Sequence, residues 1–210
     1  MLEFFIKNRS QIASLTLEHL WLVGIAIGIA IVVGVPLGIL VSRNAWLRKP
    51  VLGGTSVLQT IPSLALFGFL LPLPWLGARA DRLAVVALVL YALLPIVRNT
   101  YTGIMGIDPA VKEAAVGMGM TDRELLTRIE LPLSAPFMLA GIRIATVTAI
   151  GVATIAAAVG AGGLGELIFR GVAMVNDQLI LAGAIPAALL AIVADVVLGA
   201  IENRLRVPRS

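Results

Sequence analysis

The stretch LWLVGIAIGIAIVVGVPLGILV, Leu20–Val41, holds 22 residues and no charge. As an α-helix rising about 1.5 Å per residue it is about 33 Å long, enough to cross the roughly 30 Å hydrocarbon core of a bilayer. A secretory signal has a shorter apolar run that ends at a small-residue cleavage site. This run ends at Ser42-Arg43-Asn44. It reads as a retained membrane-spanning helix.

The rest of the chain supports that reading. Of 210 residues, 59% are hydrophobic and 13% charged, where a soluble domain has about 25% charged. Lipid is the solvent that such a surface suits. Four more segments are candidates to span: roughly Val51–Leu76, interrupted by Pro62, Pro72 and Pro74, then Leu83–Tyr101, Ala135–Val159 and Leu179–Ile201. The prolines in the second leave open a kinked helix or a helix plus a re-entrant piece. Strands of a membrane barrel alternate over about 10 residues, whereas these runs are continuous and rich in Ala and Leu. The expected fold is all-α integral membrane, one domain over residues 1–210 with five transmembrane helices.

Lys and Arg in the connections set orientation. Ten of them (Arg43, Arg48, Lys49, Arg98, Lys112, Arg123, Arg128, Arg204, Arg206 and Arg209) fall on one side, against Lys7, Arg9, Arg79, Arg82 and Arg170 on the other. The ten-residue side is expected to be cytoplasmic, with the N-terminus outside and the C-terminus inside. Trp21, Trp46 and Trp75 stand at expected span ends, as an interfacial belt requires. Residues 1–19 mix apolar and charged positions and suggest an extracytoplasmic interfacial helix, with His19 a polar residue at headgroup level. The net charge of +4 follows from topology and does not call for nucleic acid. There is no cysteine, so disulfides, thiolate metal sites and cysteine nucleophiles are excluded.

One polar island interrupts the apolar chain: KEAAVGMGMTDRELLTRIELP, Lys112–Pro132. Asp108 before Pro109 is an N-cap followed by proline at the first helical position. A short helix is expected from there, ending near Gly119. Thr121-Asp122-Arg123-Glu124 reads as a capping box that opens a second helix, which Leu131-Pro132 should end before the fourth span. The result is a helix–turn–helix hairpin over 108–132. Its first helix carries small residues, so another backbone can come close. The second helix is nearly neutral and a poor partner for nucleic-acid phosphates.

This hairpin resembles the EAA loop of ABC importer permeases, and Glu113, Ala114, Ala115, Gly117, Ile129, Leu131 and Pro132 fit that pattern. The resemblance implies that these residues couple the chain to a separate ATPase subunit. QTIPSLALFGFLLPL, LYALLPIVRNTYTGI, ELPLSAPFMLAGIR and GAGGLGELIFRG extend it over most of residues 55–200. They are similar to the osmoprotectant permeases for glycine betaine, choline and carnitine. That implies a plasma (inner) membrane subunit in a prokaryote. Its partners would be the ATPase, a second permease subunit (identical or a sister) and an extracytoplasmic substrate-binding protein. Similar permeases carry ergothioneine-like betaines, methionine and other small solutes, so the substrate stays open here. A stand-alone secondary transporter is the rival; it should carry intramembrane acidic residues, and Asp195 alone is a candidate.

Other features are weighed against packing. GAGGLG, Gly160–Gly165, matches a dinucleotide fingerprint but lacks the strand and the acidic residue about 20 positions on. A tight turn before an amphipathic stretch, Leu164–Val175, suits it better. Gly141, Ala145, Ala149, Ala153 and Ala157 form a small-residue face for close helix packing, part of which could line a path with Thr146 and Thr148. Gly24/Gly28 and Gly34/Gly38 invite the same packing. Gln59, Thr60 and Pro62 sit inside an apolar run, where transporters place broken helices near their sites. Arg143 and Asp195 lie within spans and are expected to pair. No P-loop, catalytic carboxylate pair or metal-ligand cluster is found. The chain is expected to be no enzyme and to hold no metal or cofactor, with ATP and magnesium bound by the partner subunit.

Overall fold

The computed structural model describes residues 2–205; Arg206 and Arg209, assigned above to the cytoplasmic tail, lie outside them. The described residues are helical and contain no strand. The helices are α1 (Leu2–Lys7), α2 (Arg9–Arg43), α3 (Ala45–Thr60), α4 (Ser63–Leu70), α5 (Pro74–Gly77), α6 (Ala80–Met105), α7 (Pro109–Gly117), α8 (Asp122–Glu124), α9 (Leu131–Ala156), α10 (Gly165–Ala173) and α11 (Asp177–Leu205).

Four stretches are long and apolar enough to cross a membrane: Arg9–Arg43, Ala80–Met105, Asp122–Val159 and Asp177–Leu205. The fifth candidate is the pair α3 and α4, bent by 103° at the break between them. Pro62 lies in that break with Ile61 extended, as the bias of a residue before proline requires.

The N-terminal segment divides: Leu2–Lys7 is a short helix of its own, while the residues from Arg9 onward belong to α2, which runs 35 residues without a break. At 1.5 Å per residue it is about 52 Å long, so its first turns continue the span past the hydrocarbon. The His19 side chain faces the protein interior rather than lipid headgroups. It is fully buried, with Nε2 3.1 Å from the Ile150 carbonyl oxygen on α9. Leu131-Pro132 does not end the hairpin's second helix. Asp122–Val159 is one 38-residue helix, and the stretch Leu125–Glu130 within it is a π-helical turn. There the Leu131 amide donates to Leu126 O, five residues back. In a regular helix the Pro132 ring would press on the carbonyl four residues earlier; the wider turn lets the chain pass it unbroken.

The core lies where α2, α6 and α9 meet, lined by Ala26, Ala30, Ala84, Ala87, Ala145, Ala149 and Ala153 around Phe67, Leu83, Leu88 and Ile96. In lipid, helix association rests on close packing rather than on escape from water, which favours small side chains at the contact. A Cβ on Gly141 would come within 2.6 Å of the Pro95 carbonyl, and one on Gly38 within 2.6 Å of Thr100 Cβ. The small-residue face of α9 packs against its neighbours, with Ala145, Ala149 and Ala153 buried in the core. Gly34 and Gly38 pack on α6, but Gly24 and Gly28 face open space. Trp21, Trp46 and Trp75 are all largely exposed, as lipid-interface anchors would be. The GAGGLG turn uses positive φ at Gly160, Gly162 and Gly163, and α10 follows as the amphipathic stretch.

Candidate functional site

The hairpin is built from its caps. Asp108 accepts a hydrogen bond from the Ala110 amide and opens α7. Thr121 and Glu124 form a reciprocal capping box at α8. The Thr121 amide, bonded to its carboxylate, holds Glu124 below the usual carboxylate range, helped by the Thr121 hydroxyl and by Arg128. Between the helices it is Gly119 that has φ +83°, while Gly117 is helical. Of the two, only Gly119 needs to be glycine for its backbone.

Among the pattern residues, Ala115 is buried, and Ile129 is half-buried. Glu113, Ala114 and Gly117 are exposed, and so are Val116 and Met118 beside them. No atom lies within 4 Å of where a Gly117 Cβ would be. Leu131 and Pro132 sit where the π-helical turn passes into α9. The exposed side of α7 is therefore mostly apolar, with Ala114 and Gly117 small and Glu113 charged.

A buried ion cluster fixes this hairpin to the spans. The Glu130 side chain is 2% exposed. It pairs with Arg43 at the end of α2 and with Lys112 Nζ at 3.3 Å. Lys112 Nζ also donates to the Ile104 carbonyl, 2.9 Å away in the last turn of α6, one of the carbonyls a helix end leaves unbonded. Three helices thus converge on one carboxylate. Glu130 was not singled out from the sequence; the signal that could have found it is its place one helical turn from apolar Leu126 and Leu133.

The path candidates divide. A cavity of about 370 Å³ opens between α3, α6 and α9, lined by Gln59, Tyr91, Pro95, Arg98, Asn99 and Thr148. Leu94 and Ile144 supply its apolar wall. Gln59 and Thr148 are brought together there; Thr60 and Thr146 are not, and each turns its hydroxyl onto its own helix, at Val57 O and Ile142 O. Pro62 lies at the break beside the cavity.

The geometry follows from two prolines. Pro95 has no N–H, so the Tyr91 carbonyl loses its helical partner. Gln59 Nε2 donates to that carbonyl at 2.9 Å. In return the Tyr91 hydroxyl donates to Ile61 O at the α3–α4 break. One turn on, Asn99 Nδ2 donates to Pro95 O at 2.8 Å. Tyr91, Leu94, Pro95, Arg98 and Asn99 follow i, i+3, i+4, i+7, i+8 spacing, one face of α6. Tyr91, Arg98 and Asn99 were missed as site residues, though that spacing is in the sequence.

Arg143 lies across from α11. Its Nε is 3.6 Å from Asp195 Oδ1, and its Nη2 is 3.6 Å from Glu202 Oε2. Gly199 makes room, since a Cβ there would meet Arg143 Nη1 at 2.8 Å. Asp195, Gly199 and Glu202 share one stripe of α11, so the sequence pair is in fact a cluster of three. Glu202 is the more buried carboxylate, 3% exposed against 57% for Asp195. Among the described residues no cluster of potential metal ligands occurs.

Comparison with known proteins places this geometry. Residues 18–207 match the family model "Binding-protein-dependent transport system inner membrane component". The chain is 47% identical to the osmoprotectant import permease protein OsmW of Salmonella typhimurium, over 92% of this chain and 91% of that one. It is 43% identical to the carnitine transport permease protein OpuCB of Listeria monocytogenes, over 96% and 91% of the two chains. Its fold is similar to a chain of the inward-facing MetNI methionine ABC transporter, with a TM-score of 0.82 at 22% identity, covering 90% of this chain and 94% of that one. With five spanning candidates, a capped polar hairpin and a match over nearly its whole length, the chain belongs to the binding-protein-dependent transport system inner membrane components.

Proposed function

We propose that this chain is the permease subunit of an ATP-driven ABC importer for quaternary-ammonium osmoprotectants of the glycine betaine, choline and carnitine class. The observation that carries the reading is the α7 surface. It is mostly apolar, open at Gly117, and tied to the spans through Lys112, which pairs with Glu130 beside Arg43 and donates to Ile104 O. A short helix gains little from such a face alone and a great deal from a groove in a partner. That partner is a separate ATPase subunit, which binds the ATP and magnesium; Glu113, Ala114, Ala115, Gly117, Ile129, Leu131 and Pro132 form the coupling element. The substrate class is supported by the named relatives, osmoprotectant and carnitine permeases at 47% and 43% identity.

The subunit sits in a prokaryotic inner membrane with its N-terminus outside and hairpin and C-terminus in the cytoplasm, on the ten-against-five distribution of Lys and Arg. Five helices are few to enclose a path that opens to alternate sides, so a second permease subunit completes it. A binding protein delivers solute from outside. ATP closes the nucleotide-binding dimer and draws the coupling helices together, and the spans turn the path outward; hydrolysis resets it. Affinity purification of the detergent-solubilised, tagged chain should recover an ATPase in fixed ratio, and cells with no other betaine uptake should accumulate labelled glycine betaine. Recovery of the chain alone, with uptake driven by an ion gradient, would refute the proposal.

A further inference from the structure

The cavity between α3, α6 and α9 has a charge pattern that its lining decides. Arg98 is exposed at its edge and makes no ion pair among the described residues. It also borders a second cavity of about 340 Å³, lined by Arg48, Lys49 and Ser56. No Asp or Glu lines either one. Topology alone asks only that a cation stay in water beyond the span. Arg98 stands seven residues before the end of α6, about 10 Å inside it, and is the residue that the two cavities share.

The other polar groups are oriented by their neighbours. A carbonyl only accepts, so Gln59 must turn its NH₂ to Tyr91 O, and Asn99 its NH₂ to Pro95 O. Each amide oxygen is then left for an occupant. The cavity so presents one guanidinium and two amide oxygens, with Tyr91 as its single aromatic. A guanidinium matches a carboxylate with a two-pronged hydrogen bond. Amide oxygens and the face of an aromatic ring suit methyl groups on a quaternary nitrogen, which has no N–H to donate. A solute carrying both groups fits; a bare cation meets the Arg98 guanidinium with no carboxylate to offset it.

We infer that this cavity is a solute site that selects carboxylate-bearing betaines over choline, with Arg98 as the residue that reads the carboxylate. This rests on the proposed quaternary-ammonium importer and names the member of the class it favours. The test is uptake of labelled glycine betaine and labelled choline by cells that express the chain with its partner subunits and no other uptake system, with rates normalised to the amount of chain in the membrane. The wild type should carry glycine betaine with the higher maximal rate. Arg98→Gln should lower the betaine-to-choline ratio of maximal rates about tenfold. KM, set by the delivering binding protein, should hold. Arg98→Lys, which keeps the charge, should restore most of the ratio. Because Arg98 is exposed, neither change opens the core. A ratio unchanged in Arg98→Gln, or an equal fall for both solutes, overturns the inference while leaving the importer reading intact. A wild type that accumulates neither solute overturns the importer reading first and this inference with it.

Discussion

Replacing Glu130 by Ala tests how the hairpin is held. The side chain is 2% exposed, while Arg43 and Lys112 are 38% and 25% exposed. Removing one partner of a fully buried pair costs about 3–5 kcal/mol, because the other charge stays buried and alone. Here the two cations reach solvent in part and recover hydration, which lowers the expected cost to about 2–3 kcal/mol. They are also left facing each other, so the cost does not fall to that of a surface pair. At 1.4 kcal/mol per tenfold, the opened hairpin should become roughly 30- to 150-fold more populated. Limited trypsin digestion of the full-length chain in detergent, followed as cleavage after Arg123, reads this population when reclosing outpaces cleavage. Arg43→Gln should have less than half the effect, since Lys112 still faces the carboxylate. Cleavage of Glu130→Ala at the wild-type rate, or a larger effect from Arg43→Gln, would refute the reasoning.

Gly117→Trp should insert normally, because its side chain enters open space and gains about half a kcal/mol of helix propensity; glycine betaine uptake should nonetheless fall about tenfold or more as the partner groove is blocked. Ala115→Trp, at a buried position, should instead lower the amount of folded chain by about 1–3 kcal/mol of overpacking, and uptake at the wild-type level in Gly117→Trp would count against the docking role. Gln59→Leu leaves the Tyr91 carbonyl unbonded and should cost about 1–3 kcal/mol, seen as a lower melting temperature in detergent. In a Pro95→Ala background the restored amide takes over that carbonyl, so the same substitution should be nearly neutral; equal losses in both backgrounds would discard the account. Double-mutant cycles should find Arg143 coupled to Glu202 by more than about 1 kcal/mol, and to the exposed Asp195 by about 0–1 kcal/mol; the reverse order would show that burial does not govern this cluster.

The parts of the fold legible in the sequence were those carried by local signals. Apolar length marks α2 and α11, and Asp108-Pro109 and Thr121–Glu124 mark the hairpin caps, because a cap is made within four residues. What was illegible depends on neighbours distant in the chain. Pro132 carries a stop signal that the π-helical turn overrides. Glu130 and Lys112 belong to one polar island, but their shared partner Arg43 lies on α2, 87 residues from Glu130. Gln59 and Thr148 could be singled out as polar groups in apolar runs, whereas Thr60 and Thr146 give the same signal and satisfy themselves on their own helices. The sequence offers no way to tell a hydroxyl that bonds backwards from one that faces a cavity.

The two longest rods, α2 and the helix from Asp122 to Val159, touch through polar groups at two heights. Glu130 meets Arg43, and Ile150 O meets His19. These contacts are 20 residues apart on one rod and 24 on the other, about 30–36 Å, roughly the thickness of the hydrocarbon. Riveted near both rims, the pair can neither shear by a helical turn nor splay like scissors. Any stroke delivered at the base has to tilt it as a single strut, leaving the 103° elbow at Pro62 as the joint that flexes around it.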